Sequence, residues 1–79
     1  MHDMVSIMSE KPLLDETLKE WKGKKVALAV NGEHSFIGIL KDFDEESLLL
    51  EDVTDVVGNK GKQLLVRIND VSWIMLMGD

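Results

Sequence analysis

The stretch Lys25–Leu40, KVALAVNGEHSFIGIL, decides the fold. Val26, Leu28 and Val30 alternate with Lys25, Ala27 and Ala29, the period of two expected of a strand with one buried face. Asn31-Gly32 follows, a pair that accepts the two positive-φ positions of a tight hairpin turn, and a second apolar run begins soon after it. The two runs are therefore expected to be antiparallel neighbours. Gly38 falls inside the second, where a residue without a side chain weakens pairing but permits the sharp bend that a small barrel requires.

Upstream, Pro12 suits the first turn of a helix, where its missing N–H is harmless, and Leu14, Leu18 and Trp21 recur at i, i+4, i+7. Asp15, Glu16 and Glu20 accompany them, and Gly23 ends the pattern. A helix of about ten residues is too short to persist alone, so its leucine and tryptophan face must lie on the sheet. Residues 1–11, MHDMVSIMSEK, show no periodicity and are expected to form a flexible N-terminal lead to a single domain over residues 12–79.

Downstream, Phe43 closes the second strand and Leu48–Val53 form a third after the acidic reversal DEES. Thr54–Lys62 carries the Gly58, Asn59 and Gly61 chemistry of a loop; Gln63–Ile68 is a fourth strand, and a break at Asn69-Asp70-Val71 leads to Ser72–Met77. The fold class is mostly β: an N-terminal α-helix followed by a strongly bent, five-stranded antiparallel small barrel. The last strand, SWIMLM, is apolar at every position after the serine, the pattern of a strand either central in a sheet or covered by another protein; in so small a chain it should lie near an edge, which favours the cover.

The totals agree with an assembly. A chain of 79 residues is marginally able to bury a core, and without cysteine it has no disulfide to reinforce it, which leaves oligomerisation. The formal net charge of −6 gives no general basic footprint, so DNA is not expected as a partner and any nucleic-acid contact must be local. No apolar run approaches the roughly 20 residues that span a bilayer, and no charged start precedes an apolar stretch with a cleavage site. A soluble, cytoplasmic protein with no membrane contact is expected. There is no cysteine nucleophile, no glycine-rich phosphate loop and no recognisable serine, histidine and carboxylate arrangement, so neither an enzyme nor a cofactor is expected. Asp42, Asp44 and Glu46 have the alternation of a calcium loop, but Ser47 and Val53 occupy the positions of its glycine and bidentate glutamate, and His2 and His34 have no ligand spacing.

Read together, the stretch Val26–Val53, VALAVNGEHSFIGILKDFDEESLLLEDV, and the stretch Val66–Ile74, VRINDVSWI, resemble the two motifs of the Sm-like family, particularly its archaeal members. In the first, Gly32, Gly38, Leu40, Phe43, Asp44, Leu48, Leu50 and Asp52 fall where the family pattern wants them; in the second, Arg67 and Val71 match, while Ile68 replaces a glycine. The resemblance implies a homo-oligomeric ring, commonly a heptamer, in which strand four of one copy pairs with strand five of the next. Leu64, Val66, Trp73, Ile74, Met75 and Leu76 would then form the oligomer interface.

The resemblance also implies single-stranded, uridine-rich RNA as a partner. Asp44, Glu46 and Ser47 from the elbow between strands two and three, with Arg67 and Asn69 from the break between strands four and five, are the candidate RNA-binding residues. The elbow is one residue shorter than the usual one, Glu46 stands close to the stacking position and Ser47 close to that of an asparagine. A carboxylate offers a base no flat apolar face and repels phosphate, so uridine recognition is expected to be altered or weakened. Each residue also has a plainer role: Arg67 an ion pair with Asp44 or Asp70 at the subunit junction, Asp44 an acceptor for backbone N–H groups, Ser47 and Asn69 turn formers, and Glu45 and Glu46 a solvated tip. The alternative function is an oligomeric scaffold of the same fold that binds proteins or cations and has lost the RNA pocket.

Overall fold

A computed structural model describes residues 12–78; the expected N-terminal lead, residues 1–11, and Asp79 lie outside the described residues. Helix α1 spans Pro12–Trp21, and β1 (Lys25–Val30), β2 (His34–Phe43), β3 (Ser47–Asp55), β4 (Lys60–Arg67) and β5 (Val71–Leu76) follow in that order. Every ladder is antiparallel and the strand order is β4-β3-β2-β1-β5. The fold is the expected helix and bent five-stranded sheet, with β4 and β5 left as its two edges.

The hairpin that joins β1 to β2 forms as its sequence dictates. Asn31 and Gly32 adopt φ of 54° and 71°, and the Glu33 N–H donates to the Val30 carbonyl at 3.1 Å. The bend arises where β2 meets β3. A β-carbon on Gly38 would lie 2.9 Å from the Glu51 carbonyl oxygen and 3.1 Å from Val53 Cγ2, so only glycine fits without displacement. Across from it β3 carries an extra residue: Ile37 pairs with Thr54 but Ile39 with Glu51, and Asp52 takes a left-handed φ of 52°. A second register shift follows between Leu40 and Asp42.

The sheet's inner face and α1 share one core. Leu18 of the helix is fully buried among Val26, Leu28, Leu40, Leu48, Leu50 and Val53, with Leu14 and Trp21 packed beside it. Burial of Leu18 alone stabilises the domain by about 2 kcal/mol. Gly23, at φ 85°, donates its N–H to the Leu40 carbonyl at 2.6 Å, which ends the helix against β2 and delivers the chain into β1. On the outer face Ala27 lies between Ile37 and Met75, and Ala29 between Ser35 and Trp73. Both alanines are buried, since the larger neighbours rise on either side of them.

Two boundaries differ from expectation. The loop expected over Thr54–Lys62 shrinks to residues 56–59, because Val53 pairs with Gly61 and Thr54 with Lys60. The break before β5 is a 3-10 turn over Ile68–Asp70, and Val71 already belongs to the strand.

Candidate nucleic-acid interface

The elbow between β2 and β3 is built by its own aspartate. Asp44 Oδ1 accepts the N–H groups of Glu46 and Ser47, both at 2.8 Å, while the Asp44 N–H donates to the Ser47 carbonyl at 2.9 Å. This is the plainer role foreseen for Asp44, and it fits a short polar side chain that mimics a turn of backbone. Two residues earlier, Asp42 Oδ1 accepts the Phe43 N–H at 2.8 Å and lies 3.3 Å from Lys22 Nζ. The Phe43 N–H first, and the Lys22 ammonium second, hold the Asp42 carboxyl below its ordinary pKa.

The second turn, Ile68–Asp70, is drawn to the elbow by backbone. The Ile68 N–H donates to the Glu46 carbonyl at 2.7 Å, and Ser47 sits opposite Arg67 at the end of the β3–β4 ladder. Farther along the same turn, the Asp70 carbonyl accepts the Asn31 N–H at 2.7 Å, which ties in the β1–β2 hairpin as well. Three turns distant in sequence thus form one cluster. The departure from glycine at Ile68 is accommodated here: its side chain packs on the core, and no positive φ is needed at that position. The isoleucine anchors the turn that a glycine would have left loose.

All five candidate RNA-binding residues fall on this cluster or its margin. Asp44, Glu46, Arg67 and Asn69 are exposed and Ser47 is half-buried. The guanidinium of Arg67 has no carboxylate within ion-pair distance among the described residues, and the Asp44 carboxylate is engaged by backbone N–H groups instead. A shallow cavity of about 220 Å³ opens beside the elbow, lined by Asp42, Phe43, Asp44, Ser47, Leu49 and Leu65. It takes in two of the five candidates and leaves Glu46, Arg67 and Asn69 outside its lining. Among the described residues no group of three or more histidines, aspartates or glutamates is placed to hold a metal ion; His34 is exposed beside Glu33, and His2 lies outside the described residues.

The candidate interface residues divide into exposed and core-facing ones. Trp73, Met75 and Leu76 are exposed at 48%, 50% and 38%, whereas Leu64 and Ile74 pack on the core and Val66 is buried at 5% exposure. Leu65, between the two inward residues of β4, stands 69% exposed beside Leu49 and is not singled out by the sequence pattern. A signal for it exists once the register is known: Val66 pairs with Leu48 and Leu64 with Leu50, so Leu65 must face the other way. Asn31 likewise reads in the sequence only as a hairpin former, since nothing local reveals its bond to Asp70.

No protein-family model matches the chain, and no curated protein matches it. Solved structures do. A conserved hypothetical protein from Pyrococcus furiosus is 57% identical, with 82% of this chain and 98% of that one covered and a TM-score of 0.73. The SmAP1 heptamer of P. aerophilum is 34% identical over 84% of this chain and 95% of that one, with a TM-score of 0.75. A Pyrococcus abyssii Sm protein, solved in complex with a uridine heptamer, shares the fold at 18% identity, with 78% and 94% covered and a TM-score of 0.72. Among the described residues no helix is long and apolar enough to cross a membrane.

Proposed function

The chain belongs to the Sm-like family, and on that premise we propose that it assembles into a head-to-tail ring, seven copies being the favoured count, and serves as a non-catalytic platform for single-stranded RNA in the cytoplasm. The observation that carries this reading is that one continuous segment, β4, its 3-10 turn and β5, supplies both edges of the sheet and Arg67 and Asn69 between them. An edge with unpaired backbone groups and exposed apolar side chains is a template for another strand. Leu65 stands on one such edge, and Trp73, Met75 and Leu76 stand on the other. Pairing β4 of one copy with β5 of the next leaves no free edge once the rotation closes, and it repeats the Arg67–Asn69 turn once per copy around the axis.

The same premise makes RNA the ligand, as the uridine heptamer is for the P. abyssii protein. Here Arg67 is the cation that the two turns supply, and it pairs through backbone with Ser47 at the end of a carboxylate-rich elbow, whose charge alters and weakens uridine recognition relative to a pocket with a stacking side chain and an amide. Native mass measurement and fluorescence anisotropy of labelled oligonucleotides test both halves. A ring should appear by mass, RNA binding should weaken steeply with salt, and Arg67→Ala should abolish it or lower the log–log salt slope by roughly 0.7 for each phosphate that the arginine neutralises. A concentrated 8.9 kDa monomer overturns the ring. A ring indifferent to every oligonucleotide at low salt overturns the RNA platform and leaves the scaffold for proteins or cations.

A further inference from the structure

We infer that the elbow site, read as RNA-binding as proposed above, selects guanine in preference to uracil through the carboxylate of Glu46. The backbone of Glu46 is already committed on both sides: its N–H donates to Asp44 Oδ1 at 2.8 Å and its carbonyl accepts the Ile68 N–H at 2.7 Å. Only its side chain remains to meet a ligand, and that side chain is exposed and makes no ion pair with a described cation. The Glu46–Ile68 backbone bond ties Glu46 to the residue that follows Arg67, whose guanidinium is likewise without an ion pair among the described residues. A residue with an acceptor-only side chain and one with a donor-only side chain are therefore joined through neighbouring backbone, Ser47 pairing with Arg67 and Glu46 with Ile68.

Base edges discriminate sharply against this pair. Uracil presents one N–H flanked by two carbonyl oxygens, so a carboxylate that accepts the N–H is forced against an oxygen on either side. Cytosine and adenine each offer an amino group next to a bare ring nitrogen, enough for one bond. Guanine alone offers two adjacent donors, its ring N–H and its amino group, which match the two oxygens of a carboxylate, and beside them a carbonyl oxygen that takes a guanidinium or amide donor. Glu45 has the same charge but sits at the elbow's tip without the tie to Ile68, so the selectivity belongs to Glu46 and not to acidity in general.

The test is anisotropy with labelled heptanucleotides in which adenine alternates with guanine, uracil or inosine, on the full chain at low salt. Guanine-containing strands should bind about tenfold to a hundredfold more tightly than uracil-containing ones, as one good bidentate contact confers. Inosine, which lacks the amino group, should lose most of that advantage. Glu46→Gln should weaken guanine binding and strengthen uracil binding until they differ by less than about twofold, because an amide can satisfy either edge. Glu45→Gln removes the same charge and should leave the preference intact. Uracil bound as well as guanine by the parent chain, or a guanine preference that survives Glu46→Gln, overturns the assignment while RNA binding stands. Failure of all three strands to bind overturns the RNA reading, and this inference with it.

Discussion

Asp44 and Asp55 hold turns at opposite ends of β3. Asp44 Oδ1 receives two backbone N–H groups; Asp55 Oδ1 receives those of Val57 at 3.0 Å and Asn59 at 2.9 Å, and its Oδ2 adds the Asn59 side-chain amide at 3.0 Å. By local chemistry the Asp55 turn is the better made. Its other backbone bonds, Asp55 N–H to Asn59 and Gly58 N–H to Asp55, stay within the loop, and Val56 and Val57 project from it 79% and 76% exposed. The Asp44 elbow is bonded to a turn more than twenty residues away through Glu46 and Ile68, and onward through Asp70 to Asn31. A side chain that satisfies its neighbours fixes a turn; only a bond to a distant turn brings together segments as far apart in sequence as the elbow and the 3-10 turn.

The strongest disturbance of both turns together is one that bends β3 differently. Gly38→Ala places a methyl 2.9 Å from the Glu51 carbonyl, an obstacle of backbone that cannot rotate away, and is expected to cost about 2–3 kcal/mol. Urea unfolding should show the midpoint lowered with the slope unchanged. Parent-like stability would mean that the close approach at Gly38 does not set the path of β3, and the two turns would then need separate explanations.

Next in size is the substitution that separates them. Asp44→Ala removes the acceptor for two N–H groups and is expected to cost about 1 kcal/mol in stability, since water replaces part of what is lost at an exposed turn. Its effect on RNA binding should be larger than that stability loss implies, because Glu46 and Ile68 lose their common frame. Asp44→Asn, which keeps an acceptor oxygen, should restore much of both. Asp55→Ala should disorder its loop and leave RNA binding unchanged; an equal loss of binding from the two alanine variants would erase the distinction between them.

How much of this is legible in the sequence follows the same division. Asn31-Gly32 and the Leu14, Leu18, Trp21 spacing act on neighbours a few residues away, and Gly38 is conspicuous as a glycine within a strand although its contacts lie on β3; the hairpin, the helix and the bend form as expected from them. The acceptor role of Asp44 is also local, hence visible. The loop over Thr54–Lys62 is drawn too long because Gly58, Asn59 and Gly61 carry turn chemistry, while the ladder that extends β3 and β4 through Gly61 is a backbone property that side chains do not advertise. That Leu64 and Val66 face the core while Leu65 faces outward is hidden in the sequence, because a run of apolar residues does not show its parity until the partner strand is known. The joining of elbow, 3-10 turn and hairpin is long-range in every bond, and no spacing rule reaches it.

The smallest expected effect concerns pH. The Asn59 side-chain amide foremost, opposed by desolvation and joined by the N–H groups of Asn59, Val57 and Gly58, lowers the Asp55 pKa from 3.8. A carboxyl depressed in the folded state lends stability that is fully present above its unfolded pKa and disappears as pH falls through the folded value. The backbone and side-chain amide resonances of Asn59 should therefore move together in an acid titration, with an inflection below pH 3.8. Asp55→Asn should abolish that inflection. The Ile68 amide, bonded to the Glu46 carbonyl at the far end of β3, should ignore the Asp55 step altogether. If Ile68 follows Asn59 instead, the two turns communicate along the strand, and the elbow owes its frame to more than the bonds that Asp44 and Ile68 supply.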